Sequence, residues 1–167
     1  NKPEERQTGE APADFIQPMS VACDSEGKVY VADYFNDRIQ IFNEDGSFVA
    51  SINTNKPTKI CVDPKTGEIY VFSWGIVGVP PELIKKLDYY KEKIPQKLYI
   101  YSSFPEMKLI QEYDFPLGPS NIGYGQAGVA IGAIYQVTLD SWTENPTLWV
   151  VGGGGYAPKG MDEKLYG

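Results

Sequence analysis

The sequence predicts an all-β fold built from four-stranded antiparallel meanders. The stretch from Met19 to Ile52 divides into four short apolar or alternating runs separated by turn residues, and the stretch from Ile60 to Tyr113 repeats the same order of runs. Short alternating runs bounded by turns indicate antiparallel strands. A lone meander cannot bury its apolar positions, so repetition is what a stable fold of this kind needs. With 167 residues, the chain is long enough for one domain with a substantial core.

The first copy has the most regular pattern. Its four predicted strands are Ser20–Asp24, Val29–Ala32, Arg38–Phe42 and Ser47–Ile52. A turn at residues 25–28 joins the first strand to the second, and a turn at residues 43–46 joins the third to the fourth. Because each strand is short and each turn contains Gly, a meander of neighbouring antiparallel strands follows.

The second copy repeats the first but carries an insertion. Residues 60–73 restate Val21–Asp33, Lys97–Tyr101 restates Arg38–Phe42, and residues 108–113 supply the fourth strand. The insertion, residues 74–96, contains a stretch that begins after two prolines, has apolar residues on one helical face and ends at a further proline. This pattern predicts a short helix. We interpret the helix as a cover for the sheet surface, with a partner-binding helix as the alternative.

A third copy is only half present. Residues 136–140 and 148–151 restate the first two strands, within a glycine-rich region. We therefore expect a polar lead-in over residues 1–13, a first repeat over 14–53, a second over 54–116 and a half repeat over 117–167.

The first copy resembles the NHL repeat of β-propeller proteins. The residues that carry the resemblance are Pro18, Val21–Asp24, Gly27, Val29–Asp33, Asn36–Gln40 and Asp45-Gly46. The second copy keeps Pro57, Asp63, Gly67 and Ile69–Val71, but has Ser73 in place of Asp33. The resemblance implies that the meanders are propeller blades and that this chain forms an incomplete arc of a six-bladed propeller. Further sequence or another chain would supply the remaining blades.

Composition excludes several classes of function. A net charge of −7 with no basic stripe argues against binding to nucleic acid or to an anionic membrane, and no apolar run is long enough for a membrane helix. Histidine is absent, which removes His-based catalysis and His-ligated zinc within this chain. Calcium is the cation that carboxylates and carbonyls would suit, but no calcium-binding motif or other cofactor motif is present. We expect the two cysteines, Cys23 and Cys61, to be buried thiols on opposite faces.

The resemblance also predicts where a binding site lies. It implies that the connections at residues 34–37, 74–96, 115–134 and from 152 onward gather on one end of the fold, and loops on a rigid scaffold commonly carry function. Six residues on these connections are candidate binding residues: Asp33, Asn36, Arg38, Trp74, Tyr124 and Tyr156. The polar three, together with the neighbouring Asp37, could line a polar or calcium site, although a role in the turn and in tying strands together is favoured. The aromatic three could stack on a sugar or grip a peptide, although internal packing is the more common role.

These observations favour a non-catalytic NHL-type propeller module that binds a protein, peptide or glycan through the loop-rich end. One alternative is a fragment of a metal-dependent propeller enzyme of lactonase or lyase type, for which no catalytic residue can be matched here. Another is an accessory propeller domain of a larger secreted or redox protein. Because no initiator Met or targeting segment precedes Asn1, we expect a removed leader or a longer parent chain, and an extracellular or periplasmic location.

Overall fold

A computed structural model of the protein describes residues 9, 11–76, 81, 96–114, 123–124, 130–131, 134–142 and 146–153. The described residues form antiparallel sheets with almost no helix, which confirms the all-β prediction. No helix in these ranges is long and apolar enough to cross a membrane. Most of the predicted helical insertion, residues 77–80 and 82–95, lies outside the described residues.

The first two sheets each contain four strands in chain order. The first sheet consists of β1 (Pro18–Cys23), β2 (Val29–Asp33), β3 (Arg38–Phe42) and β4 (Phe48–Asn53). The second sheet consists of β5 (Pro57–Val62), β6 (Ile69–Ser73), β7 (Lys97–Tyr101) and β8 (Leu109–Asp114). The eight strands predicted from the two copies are confirmed, with shifts of one to three residues at some ends. A short 3-10 turn, Tyr34–Asn36, joins β2 to β3.

Two smaller sheets follow. β9 (Gly123–Tyr124) pairs with β10 (Ala130–Ile131). β11 (Ile134–Asp140) pairs with β12 (Thr147–Gly153), and we call this two-stranded sheet the third sheet. These last two strands contain the runs predicted for the third copy.

The first, second and third sheets share one type of turn, in which an aspartate joins the first strand to the second. The Asp24 carboxylate accepts hydrogen bonds from the backbone N–H groups of Glu26 and Lys28, both at 2.9 Å. The carboxylate of Asp63 accepts one from Lys65 N–H at 2.8 Å. Asp140 does the same for the N–H two residues later, at 3.1 Å. A side-chain acceptor at the first position of a turn fixes the reversal between two strands, so the repeat seen in sequence is also a repeat of local structure.

The first core joins the first sheet to the second. Alternate residues of β2 and β3 face the second sheet, and they pack against residues of β5, β6 and β7. The buried members of this core are Tyr30, Ala32, Ile39, Ile41, Ile52, Ile60, Ile69, Val71 and Tyr101. Because both sheets contribute one apolar face each, neither face is left in water, and burial of this area is the main term that stabilises the pair.

The second core joins the opposite face of the second sheet to the third sheet. Its buried members are Tyr70, Phe72, Trp74, Leu98 and Val137. β6 therefore contributes Val71 to one core and Phe72 to the other, so the second sheet is covered on both faces. The fold is a face-to-face stack of three sheets in chain order.

The burial of one of the two cysteines differs from the expectation. Cys61 is partly buried and packs against the second core, while Cys23 is exposed; both are free thiols. The prediction of a buried Cys23 is wrong. The physical reason is its place on β1: Cys23 lies on the face of the first sheet that points away from the second sheet, and that part of the face is open to solvent.

Candidate functional site

A buried carboxylate lies at the end of β2. Asp33 is fully buried and forms an ion pair with Arg38, its direct partner across the β2–β3 ladder, with a distance of 2.9 Å from Nε to Oδ2. The carboxylate also accepts hydrogen bonds from Asn36 Nδ2 at 2.8 Å and from Gln40 Nε2 at 3.2 Å. A buried carboxylate is tolerated only when its oxygens are paired in this way.

The segment before β1 joins the same network. The backbone N–H of Ile16 donates to Asp33 at 2.8 Å, and that of Ala13 donates to Gln40 Oε1 at 2.9 Å. Arg38 donates to the backbone oxygens of Ala11 and Asp14, both at 3.0 Å. Asp33, Asn36 and Arg38 therefore lie together, and all three form hydrogen bonds within the protein. Their polar groups fasten residues 11–16 to the first sheet.

A second polar contact links the β2–β3 turn to the connection between the first two sheets. Lys56 is buried, and its ammonium donates to both carboxylate oxygens of Asp37, at 3.0 and 2.9 Å. The N–H of Lys56 also donates to Asp37 Oδ1 at 2.8 Å, and the N–H of Thr54 donates to Asp37 O at 2.9 Å. Both Asp37 and Lys56 have a left-handed backbone, with φ of 51° and 45°. Left-handed backbone is uncommon for a residue such as lysine, and here the hydrogen bonds between Asp37 and residues 54 and 56 hold it.

Trp74 closes the same end of the fold from the second sheet. Its carbonyl accepts hydrogen bonds from the Tyr34 hydroxyl at 3.2 Å and from Thr58 Oγ1 at 3.1 Å, and its N–H donates to Thr58 Oγ1 at 3.2 Å. The indole is buried in the second core, 6.2 Å from the ring of Phe72 between centroids. Trp74 therefore holds two connections together through its backbone, while its side chain packs inside.

We call the surface where the connections 34–37, 54–56 and 74–76 meet the loop surface; Asn55 is exposed there, Asn36, Asp37 and Gly75 are partly exposed, and the other residues of the three connections are buried. The structure brings Asn36 together with Asp33 and Arg38, and the indole of Trp74 is buried beneath the exposed residues. Tyr124 is described only as a backbone position of β9, and Tyr156 lies outside the described residues.

Sequence reasoning placed Asp37 at the rim of the site with Asp33, Asn36 and Arg38, but it did not select Lys56. Asp37 ends an Asn-Asp pair in a turn, where left-handed backbone is common. Lys56 had no such signal, because burial of a lysine cannot be read from a pattern of exposed and apolar positions. Its place follows from the carboxylate that meets it.

Burial perturbs tyrosine and cysteine side chains away from the loop surface. Burial, strengthened by a hydrogen bond to Asp24, raises the pKa of Tyr30 well above its ordinary range. Burial and the charge of Glu68 raise the pKa of Tyr70 to about 12. Burial likewise raises the pKa of the Cys61 thiol. These shifts favour neutral forms, as expected for groups packed between sheets.

Among the described residues, no group of three or more Cys, Asp or Glu side chains is placed to hold a metal ion. The chain matches no protein-family model, and no curated protein matches it significantly.

Proposed function

We propose that this chain is a non-catalytic β-propeller module of NHL type that binds a protein, peptide or glycan through the loop surface. The observation that carries the proposal is the mutual fastening of three separate connections. The β2–β3 turn bonds to the crossover between the first two sheets through Asp37 and Lys56, and to the β6–β7 connection through Tyr34 and Trp74. A surface held in this way is preorganised, so little conformational entropy is lost when a partner binds.

The exposed groups on the loop surface suit recognition. The Asp37 side chain is 48% exposed although its oxygens bond to Lys56, so a charge-assisted acceptor is presented in a fixed direction. Asn55 is exposed between Thr54 and Lys56, which are both bonded to Asp37. The buried groups of the Asp33 network have a different task, since they hold residues 11–16 in place.

A comparison of two matched variants tests the proposal. Asn55→Arg adds a bulky positive side chain to the loop surface, and Ser25→Arg adds the same side chain to an exposed turn at the opposite end of β2. Wild type and both variants are applied to a glycan array and to a displayed peptide library. We expect a ligand whose binding Asn55→Arg reduces by about tenfold or more, which corresponds to about 1.4 kcal/mol, while Ser25→Arg leaves it unchanged.

Two outcomes would contradict the proposal. One is a ligand whose binding is reduced by Ser25→Arg and not by Asn55→Arg, which would place recognition at the other end. The other is a set of ligands whose affinities respond to neither variant nor to deletion of residues 77–95, which follow directly after the loop surface. Unfolding curves of each variant establish that the fold is intact before binding is compared.

A further inference from the structure

Two exposed, uncharged amides lie at the connection between β4 and β5. Asn55 belongs to the loop surface and is flanked by two residues that bond to Asp37, while Asn53 is the last residue of β4. Exposed and buried residues alternate over residues 51–56, so both asparagines are exposed on the same side of the chain. Neither amide forms a hydrogen bond within the described part of the protein. Each amide therefore presents two N–H donors and one carbonyl acceptor to a ligand.

A third amide, that of Asn36, is held in a fixed orientation. Its Nδ2 donates to Asp33 Oδ2 at 2.8 Å and to the backbone oxygen of Gly9 at 3.0 Å. Its carbonyl oxygen accepts no hydrogen bond from any described residue, and the side chain is partly exposed. Because the buried carboxylate of Asp33 sets the direction of the amide, the oxygen is a preorganised acceptor for a ligand donor.

The carboxylate of Asp37 is exposed, but its charge is already paired. Its two oxygens accept three hydrogen bonds from Lys56, one from the backbone N–H at 2.8 Å and two from the ammonium at 3.0 and 2.9 Å. The Lys56 side chain is 8% exposed, so the compensating charge lies inside the protein. A cationic ligand gains little from a carboxylate that is paired at this distance. A hydroxyl group can still donate to it, because a carboxylate has about four acceptor sites.

The apolar side chains of the loop surface are buried. The aromatic and aliphatic residues of its three connections are Tyr34, Phe35, Trp74 and Ile76, and all four are buried. Peptides and proteins are anchored mostly by aromatic residues and arginine, which need apolar pockets or an unpaired carboxylate. The described residues of the loop surface provide neither. Hydroxyl groups need only donors and acceptors, which these residues do provide.

We propose that the ligand of the loop surface is a neutral glycan bound through its hydroxyl groups. This inference rests on the binding function proposed above and names the class of ligand. The amides of Asn53 and Asn55 donate to and accept from ligand hydroxyls, and the Asn36 oxygen and the Asp37 carboxylate accept from them. A neutral ligand is favoured over a charged one, because the three amides are uncharged and the carboxylate is paired.

An array of neutral oligosaccharides tests the inference, with the affinity of each bound oligosaccharide measured by titration calorimetry. We expect Asn55→Ala to weaken binding about fivefold to tenfold, since it deletes an amide that makes one or two hydrogen bonds to the ligand. Asn43→Ala is the matched control and should leave the affinity unchanged, because Asn43 lies in the turn at the opposite end of β3. Added salt should also leave the affinity unchanged, since no unpaired charge takes part. Unfolding curves establish that both variants are folded.

The possible results separate this inference from the proposed function on which it rests. Binding only to displayed peptides, with loss of that binding in Asn55→Arg, would overturn the glycan inference and leave the proposed function standing. Binding only to charged glycans, with affinity that falls as salt is added, would do the same. Equal weakening by Asn55→Ala and Asn43→Ala would overturn the glycan inference too. If no ligand of either kind responds to Asn55→Arg, the proposed function fails and the inference fails with it.

Discussion

The carboxylate of Asp33 is the group whose removal should cost the first sheet the most. Asp33→Ala deletes a fully buried acceptor that receives hydrogen bonds from Ile16 N–H, Asn36 Nδ2, Arg38 Nε and Gln40 Nε2. The change leaves Arg38, whose side chain is 14% exposed, without its ion-pair partner. Breaking a buried pair by removing one member costs about 3–5 kcal/mol, so we expect a loss of that size in the free energy of unfolding.

Urea denaturation followed by far-UV circular dichroism measures this loss. Asp45→Ala is the control, because Asp45 is an exposed turn aspartate whose carboxylate accepts hydrogen bonds from the N–H and the hydroxyl of Ser47, and its removal should cost far less. The double variant Asp33→Ala/Arg38→Met should recover part of the loss, since it removes the stranded charge. A loss below about 1 kcal/mol for Asp33→Ala, the value typical of an ordinary hydrogen bond, would refute the reasoning. Equal losses for Asp33→Ala and Asp45→Ala would refute it too.

Three further predictions concern buried or strained positions. The pKa of Tyr70 is about 12 in the folded protein and near 10 in the unfolded chain, so between these pH values the folded protein keeps a proton that the unfolded chain releases. The free energy of unfolding should therefore fall as pH rises from 10 to 12. Urea titrations at several pH values should show this fall, and the Tyr70→Phe variant should make it smaller. A thiol reagent at pH 8 should label Cys23 quickly and Cys61 slowly, because Cys61 is packed and burial raises its pKa; two equal rates would contradict this. Gly67→Ala should destabilise the protein more than Gly46→Ala, and thermal melts compare the two variants. Both glycines have a left-handed φ. At Gly67 the new Cβ would lie 2.8 Å from the side chain of Ser103, whereas at Gly46 it would meet nothing within 4 Å.

The stack of sheets could be predicted from the sequence because the side chains of a strand alternate between the two faces of the sheet, and this alternation is visible in the sequence. Alternation located β1 to β8 within a few residues, and the restated Asp24, Asp63 and Asp140 gave the repeat. The same alternation also bears on Trp74. It follows Phe72 by two residues and so shares its face, which leads into the second core rather than to solvent.

Other features left no pattern to recognise. Residues 11–16 are held largely through backbone groups, and backbone hydrogen bonds are the same whatever side chain is present. Burial of Lys56 depends on Asp37, which lies 19 residues earlier. The exposure of Cys23 depends on whether another sheet packs on its face of the first sheet. The alternation within a strand shows which residues share a face, but it does not show which face another sheet covers.

Hydrogen exchange across the second sheet tests the central claim, that three sheets stack face to face in chain order. In this account β6 lies between two cores, so amides of residues 69–73 should be the slowest to exchange in the described part of the chain. Residues 109–114 of β8, which are exposed throughout, should exchange much faster. The Val137→Asp variant should speed exchange in residues 69–73 while leaving β3 slow, since it disrupts only the second core. Exchange in β6 as fast as in β8, or a Val137→Asp effect confined to β11 and β12, would contradict the stack.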